Sequence, residues 1–329
     1  MPVLAVASVK ASPGVTTAAL AVAAGWPGRG RAVVAECDPA GGDVAAWFGL
    51  AATPGLVSLA AAARRDPTAG RLAEHCQRLP GGVEVLAGPP GAAQATAALQ
   101  VLAGQRMAAL TAPATGDTVG GGLAVMVADC GRLTPGSPAV AVLNAARLTV
   151  LVIRPVLAEV SHLAAAVDAV RQVTRSLVLV VVGEDGYTSD DLAVALEVPV
   201  VGRLPRDPGG ARLVTGQGVV SVRRSRLAQA ARVLAVELAR HLTVDPIGPA
   251  ALTAGPTTVA AATHTGVSIM VDGAAVPVDG SDGGTAEAGP ARSDRRRRRA
   301  RDPGPAVPPG SSAGRTPGPG WVPSMEADR

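Results

Sequence analysis

Short apolar runs and longer segments rich in alanine and leucine alternate along the first 243 or so residues. Valine-rich runs of strand length are predicted at 3–9, 32–37, 83–87, 123–128, 148–153, 177–182 and 199–203. Helical periodicity fills most of the gaps, at 16–24, 43–49, 55–64, 92–111, 158–174, 189–196 and 224–242. Strands that alternate with helices are typical of a parallel sheet with helices on both faces. We therefore expect a three-layer α/β fold with about seven mostly parallel strands.

This alternation ends near residue 245. Residues 246–329 are rich in proline, glycine and alanine and contain no long periodic segment, which is typical of disordered chain. One hairpin is conceivable at 267–278, where Asp272-Gly273 lies between two apolar runs. The sequence thus predicts a folded domain at 1–245 and a largely disordered tail at 246–329.

Composition and charge limit the partners. Only 2% of the residues are aromatic, so bases would find few rings to stack on and any nucleic-acid contact would be electrostatic. The net charge is +4, and its basic part is concentrated in an arginine-rich run at 292–301. Within that run, Arg295, Arg296, Arg297, Arg298 and Arg299 either form a solvated segment or make weak contacts with DNA, anionic lipid or an acidic partner.

The cysteines and the absence of membrane signals indicate the cytoplasm. Cys37, Cys76 and Cys130 are odd in number and have no paired spacing, so we expect free thiols in a reducing compartment. No charged leader precedes the first strand, and no apolar run reaches the roughly 18 residues of a spanning helix. We expect a cytoplasmic protein, with or without peripheral attachment to the membrane or the nucleoid.

The first strand, loop and helix have the layout of a phosphate site. Lys10 is the only lysine among 30 basic residues and follows the first strand directly. Because arginine has replaced lysine everywhere else, its retention indicates a need for a compact ammonium group. The loop through Gly14 offers backbone N–H groups and a helix N-terminus to an anion. Thr16 stands where a hydroxyl can ligate Mg²⁺ beside a nucleotide phosphate.

Two further strands end in carboxylates. Asp38 follows strand 32–37 and Asp129 follows strand 123–128, so both lie at the carboxyl edge of the sheet, where open α/β folds bind ligands. An acid after an apolar strand is typical of a Walker B residue that holds Mg²⁺ through water. Asp38 could orient an attacking water. Asp43 is interpreted as the N-cap of the helix that follows it.

With these motifs the chain resembles the ParA/MinD family of deviant Walker A ATPases, P-loop proteins of the SIMIBI class. The family loop reads K-G-G-x-G-K-T-T; here it is Lys10-Ala11-Ser12-Pro13-Gly14-Val15-Thr16-Thr17. The resemblance extends from residue 3 to about 243 and includes Asp38-Pro39, Asp129, Arg154-Pro155 and Leu204-Pro205.

The resemblance implies a homodimer that binds ATP or ADP with Mg²⁺ between its subunits. Carried over to this chain, Lys10 reaches across to the partner's phosphates, Thr16 ligates Mg²⁺, and Thr17 contacts phosphate. Asp38 is associated with hydrolysis, and Asp129 contacts Mg²⁺ through water. The remaining predicted nucleotide contacts are Ser12, Pro13, Gly14, Val15 and, beside the base, Pro205.

Two positions depart from the family pattern. Val15 replaces the lysine that holds the β- and γ-phosphates of its own subunit. Loss of that cation removes charge stabilisation from the transition state, so we expect binding to survive and hydrolysis to be weak or dependent on a partner. Strand 177–182 runs into Gly183, where the family commonly has an asparagine that contacts adenine, and base specificity stays open.

Two functions agree with this pattern. The first is an ATP-dependent dimerisation switch that positions cargo with a protein partner, such as a chromosome region, a division component, or a pilus or secretion assembly. The second is a non-catalytic scaffold of the same fold that recruits partners through its surface and tail. Retention of Lys10, Thr16, Asp38 and Asp129 favours the first function, and Val15 favours the second.

Overall fold

The computed structural model describes residues 1–10, 14–27, 32–66, 72–111, 124–217 and 225–243. All of them belong to the first of two units into which the chain divides, Met1–Ala254. The predicted tail at 246–329, with its hairpin and Arg295–Arg299, lies outside the described residues. So do Ala11, Ser12 and Pro13 of the loop.

The described chain forms one sheet of eight strands. These are β1 (Val3–Ser8), β2 (Ala32–Glu36), β3 (Gln77–Arg78), β4 (Glu84–Leu86), β5 (Val125–Arg132), β6 (Leu148–Ile153), β7 (Leu177–Val182) and β8 (Val200–Leu204). Their order across the sheet is β3-β4-β2-β5-β1-β6-β7-β8. The pairing is parallel throughout except between β3 and β4.

Helices connect the strands. They are α1 (Val15–Ala24), α2 (Val44–Phe48), α3 (Leu56–Arg65), α4 (Leu72–His75), α5 (Ala92–Leu102), α6 (Met107–Thr111), α7 (Val140–Ala145), α8 (Leu157–Gln172), α9 (Ser189–Leu196), α10 (Pro208–Val214) and α11 (Arg226–Thr243). A 3-10 turn at Gly104–Arg106 separates α5 from α6.

Two apolar clusters cover the two faces of the sheet. Because successive strand residues point to opposite faces, Ala5 joins one cluster with α3, α5, α8 and α9, whereas Leu4 and Val6 join the other with α1 and α11. Strand β6 is buried along its whole length, as expected for a strand covered on both sides. The predicted three-layer, mostly parallel α/β fold is confirmed.

Two local predictions were wrong, and one strand was not predicted. The predicted helix at 92–111 is two helices, because Gly104 adopts φ +67° and interrupts the helical backbone. The two-residue strand β3, which pairs antiparallel with β4 at the sheet edge, was not predicted. The predicted strand at 123–128 begins at Val125 and continues to Arg132, so Asp129 lies within β5 and does not follow it.

Candidate functional site

A polar cavity of about 710 Å³ opens at the carboxyl edge of the sheet. It lies between the start of α1, the loop from β2 to α2 and the segment after β5. Its lining includes five predicted site residues, Gly14, Val15, Thr16, Thr17 and Asp38. The structure therefore brings the described part of the phosphate loop and the acid of the second strand together around one space.

The start of α1 is open to an anion. Gly14 precedes the helix with φ +92°, a conformation that side chains disfavour, and its carbonyl accepts the Ala18 N–H at 2.8 Å. Among the described residues, no side chain caps this N-terminus, and the first turn carries no acidic residue. The free N–H groups and the positive end of the helix dipole both favour a bound phosphate here.

Val15 contributes no charge to the cavity. Only 7% of its surface is exposed, and it belongs to the apolar cluster that α1 shares with Leu4 and Val6. A cation is thus missing at the position where the family pattern has its second lysine. The structure gives a physical reason for the valine, because its side chain completes the packing under α1.

Thr16 and Asp129, the two predicted Mg²⁺ contacts, are bonded to each other. The Thr16 hydroxyl hydrogen-bonds the Asp129 carboxylate, and the Gly131 N–H donates to Asp129 Oδ1 at 3.0 Å. Asp129 is only 1% exposed. Burial raises its pKa to about 7, although both hydrogen bonds act in the opposite direction. Hydroxyl and carboxylate oxygens are the donors that Mg²⁺ prefers, and a cation would compensate this buried charge. The donor set therefore fits the metal.

Asp38 lines the polar cavity together with the start of α1. The Ala40 N–H donates to Asp38 Oδ1 at 2.8 Å and fixes the direction of the carboxylate. Partial burial raises the pKa of Asp38, whereas Arg132 lowers it to a smaller extent. Asp38 can thus accept a hydrogen bond from a water or ligand in the cavity.

Gly131 leaves the space that the Asp38 carboxylate occupies. A Cβ built on Gly131 would lie 2.0 Å from Asp38 Oδ2, and φ is +58°. Gly131→Ala should therefore displace Asp38 and lower the free energy of unfolding, measured in urea, by at least about 2 kcal/mol, since left-handed backbone alone costs about 1–2 kcal/mol. Gly136→Ala is the matched control, because Gly136 has φ +74° but no atom within 4 Å of an added Cβ. If both variants lost the same free energy of unfolding, displacing Asp38 would carry no energetic cost.

Glu36 is a site residue that sequence reasoning missed. It is 2% exposed, and its carboxylate accepts the N–H groups of Asp43 at 2.7 Å, Val44 at 2.9 Å and Gly88 at 2.9 Å. It thereby ties the loop that carries Asp38 to the sheet. The prediction that Asp43 caps the following helix is only half right. Asp43 holds the N-cap position of α2, but its side chain makes no capping hydrogen bond. The Glu36 carboxylate accepts the Asp43 and Val44 N–H groups instead.

Lys10 lies at the carboxyl end of β1 and is exposed. It is not among the residues that line the polar cavity or the smaller cavity described next. Its predicted role across a dimer interface stays a prediction.

A smaller cavity of about 170 Å³ adjoins the polar cavity, since Gly14 and Thr17 line both. Pro205, the residue predicted to lie beside the base, lines this smaller cavity. The neighbouring Asp207 accepts the N–H groups of Gly210 at 2.8 Å and Leu227 at 3.1 Å, and these bonds lower its pKa. Asp207 therefore holds the starts of α10 and α11 beside this cavity.

Other predicted features have simple outcomes. Cys37, Cys76 and Cys130 form no disulfide, and burial raises the pKa values of Cys37 and Cys130, which argues against the reactivity of these two thiols. Across the described ranges, no group of three histidine, cysteine or acidic side chains is arranged to hold a metal ion. None of the helices described is both long and apolar enough to span a bilayer.

Solved structures share this fold at low sequence identity. The sequence itself matches no protein-family model and no curated protein. The structure matches a ParA family ATPase from Chlorobium tepidum TLS (TM-score 0.57, 15% identity, 72% of this chain and 98% of that one). It also matches the cell division ATPase MinD from Pyrococcus furiosus (TM-score 0.55, 19% identity, 73% and 98%).

The fold is that of the ParA and MinD ATPases. A third match is cobyrinic acid a,c-diamide synthase from Mycobacterium smegmatis, solved with a bound ATP analogue and magnesium (TM-score 0.54, 22% identity, 77% and 100%). The resemblance drawn from the motifs is thus confirmed at the level of fold. The match covers 98–100% of each of these three chains, so this chain shares their whole fold.

Proposed function

We propose that this protein binds ATP or ADP with Mg²⁺ in the polar cavity. The observation that carries the proposal is the contact between Thr16 and the buried Asp129 directly beneath the uncapped start of α1. Phosphates would accept hydrogen bonds from the N–H groups of the Gly14–Thr17 turn, and Thr17 would add its hydroxyl. Thr16 and Asp129 would hold Mg²⁺, which neutralises phosphate charge when bound. Pro205 would line the base side.

The second part of the proposal is a dimer that forms with nucleotide. Lys10 is exposed and stands outside its own cavity, which suits an ammonium group that reaches a partner's phosphates. Val156 and Leu157, at the start of α8 on the same edge of the sheet, are 45% and 67% exposed. Exposed apolar side chains on the edge that carries the cavity support an interface between two copies there.

Hydrolysis is proposed to be weak. The Val15 side chain belongs to the apolar core, so the subunit supplies no cation of its own at that position. Asp38 would orient the water, but the developing charge on the phosphoryl group would lack one stabilising contact. A partner protein that supplies a cation would raise turnover.

The biological role that fits best is a switch that positions cargo through a protein partner, from a cytoplasmic location. The buried Val15 favours one alternative, a scaffold of the same fold that binds partners without turnover. The two functions differ in their need for nucleotide, because only the switch requires Lys10 for self-association.

Light scattering with and without Mg-ATP tests the proposal. The wild-type chain should be a monomer alone and a dimer with Mg-ATP. Lys10→Ala should remain a monomer with Mg-ATP yet bind ATP with nearly unchanged affinity, because Lys10 acts across the interface. Lys10→Arg should also fail to dimerise, since the planar guanidinium has a different shape from the ammonium group. Thr16→Ala should lose at least about tenfold in affinity for Mg-ATP, about 1.4 kcal/mol.

Arg64→Ala is the matched control, because Arg64 is an exposed cation on α3, on the opposite face of the sheet. It should dimerise like the wild type. If the wild-type chain showed no affinity for ATP at millimolar concentration, the proposed nucleotide binding would be refuted. A Lys10→Ala variant that still dimerises with Mg-ATP would support the scaffold, and fast turnover without a partner would refute the weak hydrolysis.

A further inference from the structure

A third cavity, of about 460 Å³, lies among α1, α2, α10 and α11 and is mostly apolar. We call it the apolar cavity. Its volume falls within the range of small-molecule sites, about 300–1,000 Å³, and such sites combine apolar walls with a few polar groups. Its lining includes Leu20, Ala24, Trp47, Phe48, Gly216 and Arg232.

The walls of the apolar cavity concentrate the scarce aromatic side chains. The whole sequence has three tryptophans, one tyrosine and one phenylalanine, and Trp47 and Phe48 both line this cavity. Gly216 packs its α-carbon against the Phe48 ring: an added Cβ would lie 2.7 Å from Cε1, and φ is +75°. The end of α10 is therefore shaped to the ring, so the cavity wall is built from specific packing.

Among the described residues that line the apolar cavity, the charged one is Arg232 of α11, which is exposed. A ligand with a flat apolar body would contact the rings, and an anionic group on it would find a guanidinium nearby. The lining thus favours an anionic amphiphile over a neutral or cationic one.

The apolar and polar cavities share structural elements. Trp47 lines both cavities. Helix α1 begins at the polar cavity with Val15, Thr16 and Thr17, and its later residues Leu20 and Ala24 line the apolar cavity. A ligand that packs against this helix and Trp47 would restrict the same elements that bind phosphate.

We propose that the apolar cavity binds a small amphiphile with a flat apolar body and an anionic group, and that its occupancy strengthens nucleotide binding. The second half rests on the proposed function. A first ligand that restricts α1 and Trp47 lowers the ordering cost of the second, which gives positive coupling. Coupling is reciprocal, so each ligand raises the affinity for the other by the same factor.

Fluorescence titration of the full chain with 1-anilinonaphthalene-8-sulfonate tests the site without nucleotide. Binding should saturate at one probe per chain, and N-phenyl-1-naphthylamine, which lacks the sulfonate, should bind several-fold more weakly. Arg232→Gln should remove that difference between the probes. Ala24→Phe should fill the cavity and weaken binding by at least about tenfold.

Ala97→Phe is the control for the added ring. Ala97 is an exposed helical alanine on α5, which packs on the opposite face of the sheet. It should bind the sulfonate probe like the wild type. Binding that does not saturate, or that Ala24→Phe leaves unchanged, would overturn the site.

Coupling is measured by repeating the probe titration with saturating Mg-ATP and the ATP titration with saturating probe. Both affinities should rise by the same factor, about five- to tenfold, at the lower end of the usual range of coupling energies. Unchanged affinities with ATP demonstrably bound would overturn the coupling. Probe binding that Ala24→Phe abolishes, together with no ATP affinity, would refute the proposed nucleotide function and leave the amphiphile site standing.

Discussion

Glu36→Ala is expected to lower the free energy of unfolding by about 3–5 kcal/mol, because the substitution leaves three N–H groups, two buried and one partly buried, without their acceptor. These are the amides of Asp43, Val44 and Gly88, at 2.7–2.9 Å from the carboxylate. Typical domains are stable by about 5–15 kcal/mol, so this single change would remove a large part of the total. Equilibrium unfolding in urea measures it.

Glu36→Gln separates the loss of a hydrogen-bond acceptor from the loss of side-chain volume, because glutamine has nearly the same shape as glutamate. An amide keeps one oxygen, but its NH₂ group must face at least one N–H donor, so a loss between that of alanine and zero is expected. Glu237→Gln is the control: Glu237 is paired with Arg240 at 2.9 Å on the surface of α11, where pairs contribute at most about 1 kcal/mol. A Glu36→Ala loss below about 1 kcal/mol would mean that water or other groups replace the carboxylate.

Loss of Glu36 should also disturb the position of Asp38 at the proposed nucleotide site. Its carboxylate holds the start of α2, and the loop it anchors carries Asp38. A Cβ on Gly42 would lie 2.6 Å from Glu36 Oε2, so the glycine at 42 allows the backbone to approach the acid. The stability of this loop and the position of the predicted catalytic acid therefore depend on one buried charge.

The fold could be predicted from the sequence because its signals are local. Continuous valine runs and alanine-rich helices each specify one element, and the alternation of strands and helices limits the topology. The break at Gly104 was harder, because a glycine inside a helical pattern is often tolerated. The two-residue strand β3 is too short to leave any periodicity.

The site was only partly predictable because its chemistry depends on contacts between distant segments. Thr16 and Asp129 could each be named from motifs, but their mutual bond follows from the pairing of β1 with β5. Glu36 does carry a sequence signal, a charge at the end of an apolar strand before Gly41-Gly42. That signal was ambiguous, because Asp38 and Asp43 nearby are acids as well. Only the folded course of the backbone decides which of the three carboxylates accepts the N–H groups of Asp43, Val44 and Gly88.

Asp129→Asn is expected to stabilise the ligand-free protein at neutral and alkaline pH. Asn keeps an oxygen for the Gly131 N–H and removes a charge that burial disfavours. The Asp129 pKa is about 7 in the fold and 3.8 ordinarily. Each pKa unit corresponds to 1.36 kcal/mol, so the variant should be more stable by about 2–4 kcal/mol at pH 8.

The sign of the pH dependence follows from the raised pKa. Below about pH 4 the carboxyl is protonated in both folded and unfolded chains, and wild type and variant should be equally stable. Between pH 4 and 7 the unfolded chain ionises while the folded one holds its proton. Unfolding then releases a proton, so the stability of the wild type relative to Asp129→Asn falls as the pH rises and levels off above about 7.

Urea unfolding at several pH values, with chelator and without nucleotide, measures this difference between the two proteins. Asp168→Asn is the control, because the Asp168 side chain is 82% exposed beside Arg171 and should show no such trend. A less stable Asp129→Asn at pH 8 would contradict the expectation. Millimolar Mg²⁺ with ATP should stabilise the wild type more than the variant, since a cation offsets the buried charge only where the charge exists. A carboxylate that destabilises the empty fold but binds the metal is the trade-off expected of a functional residue.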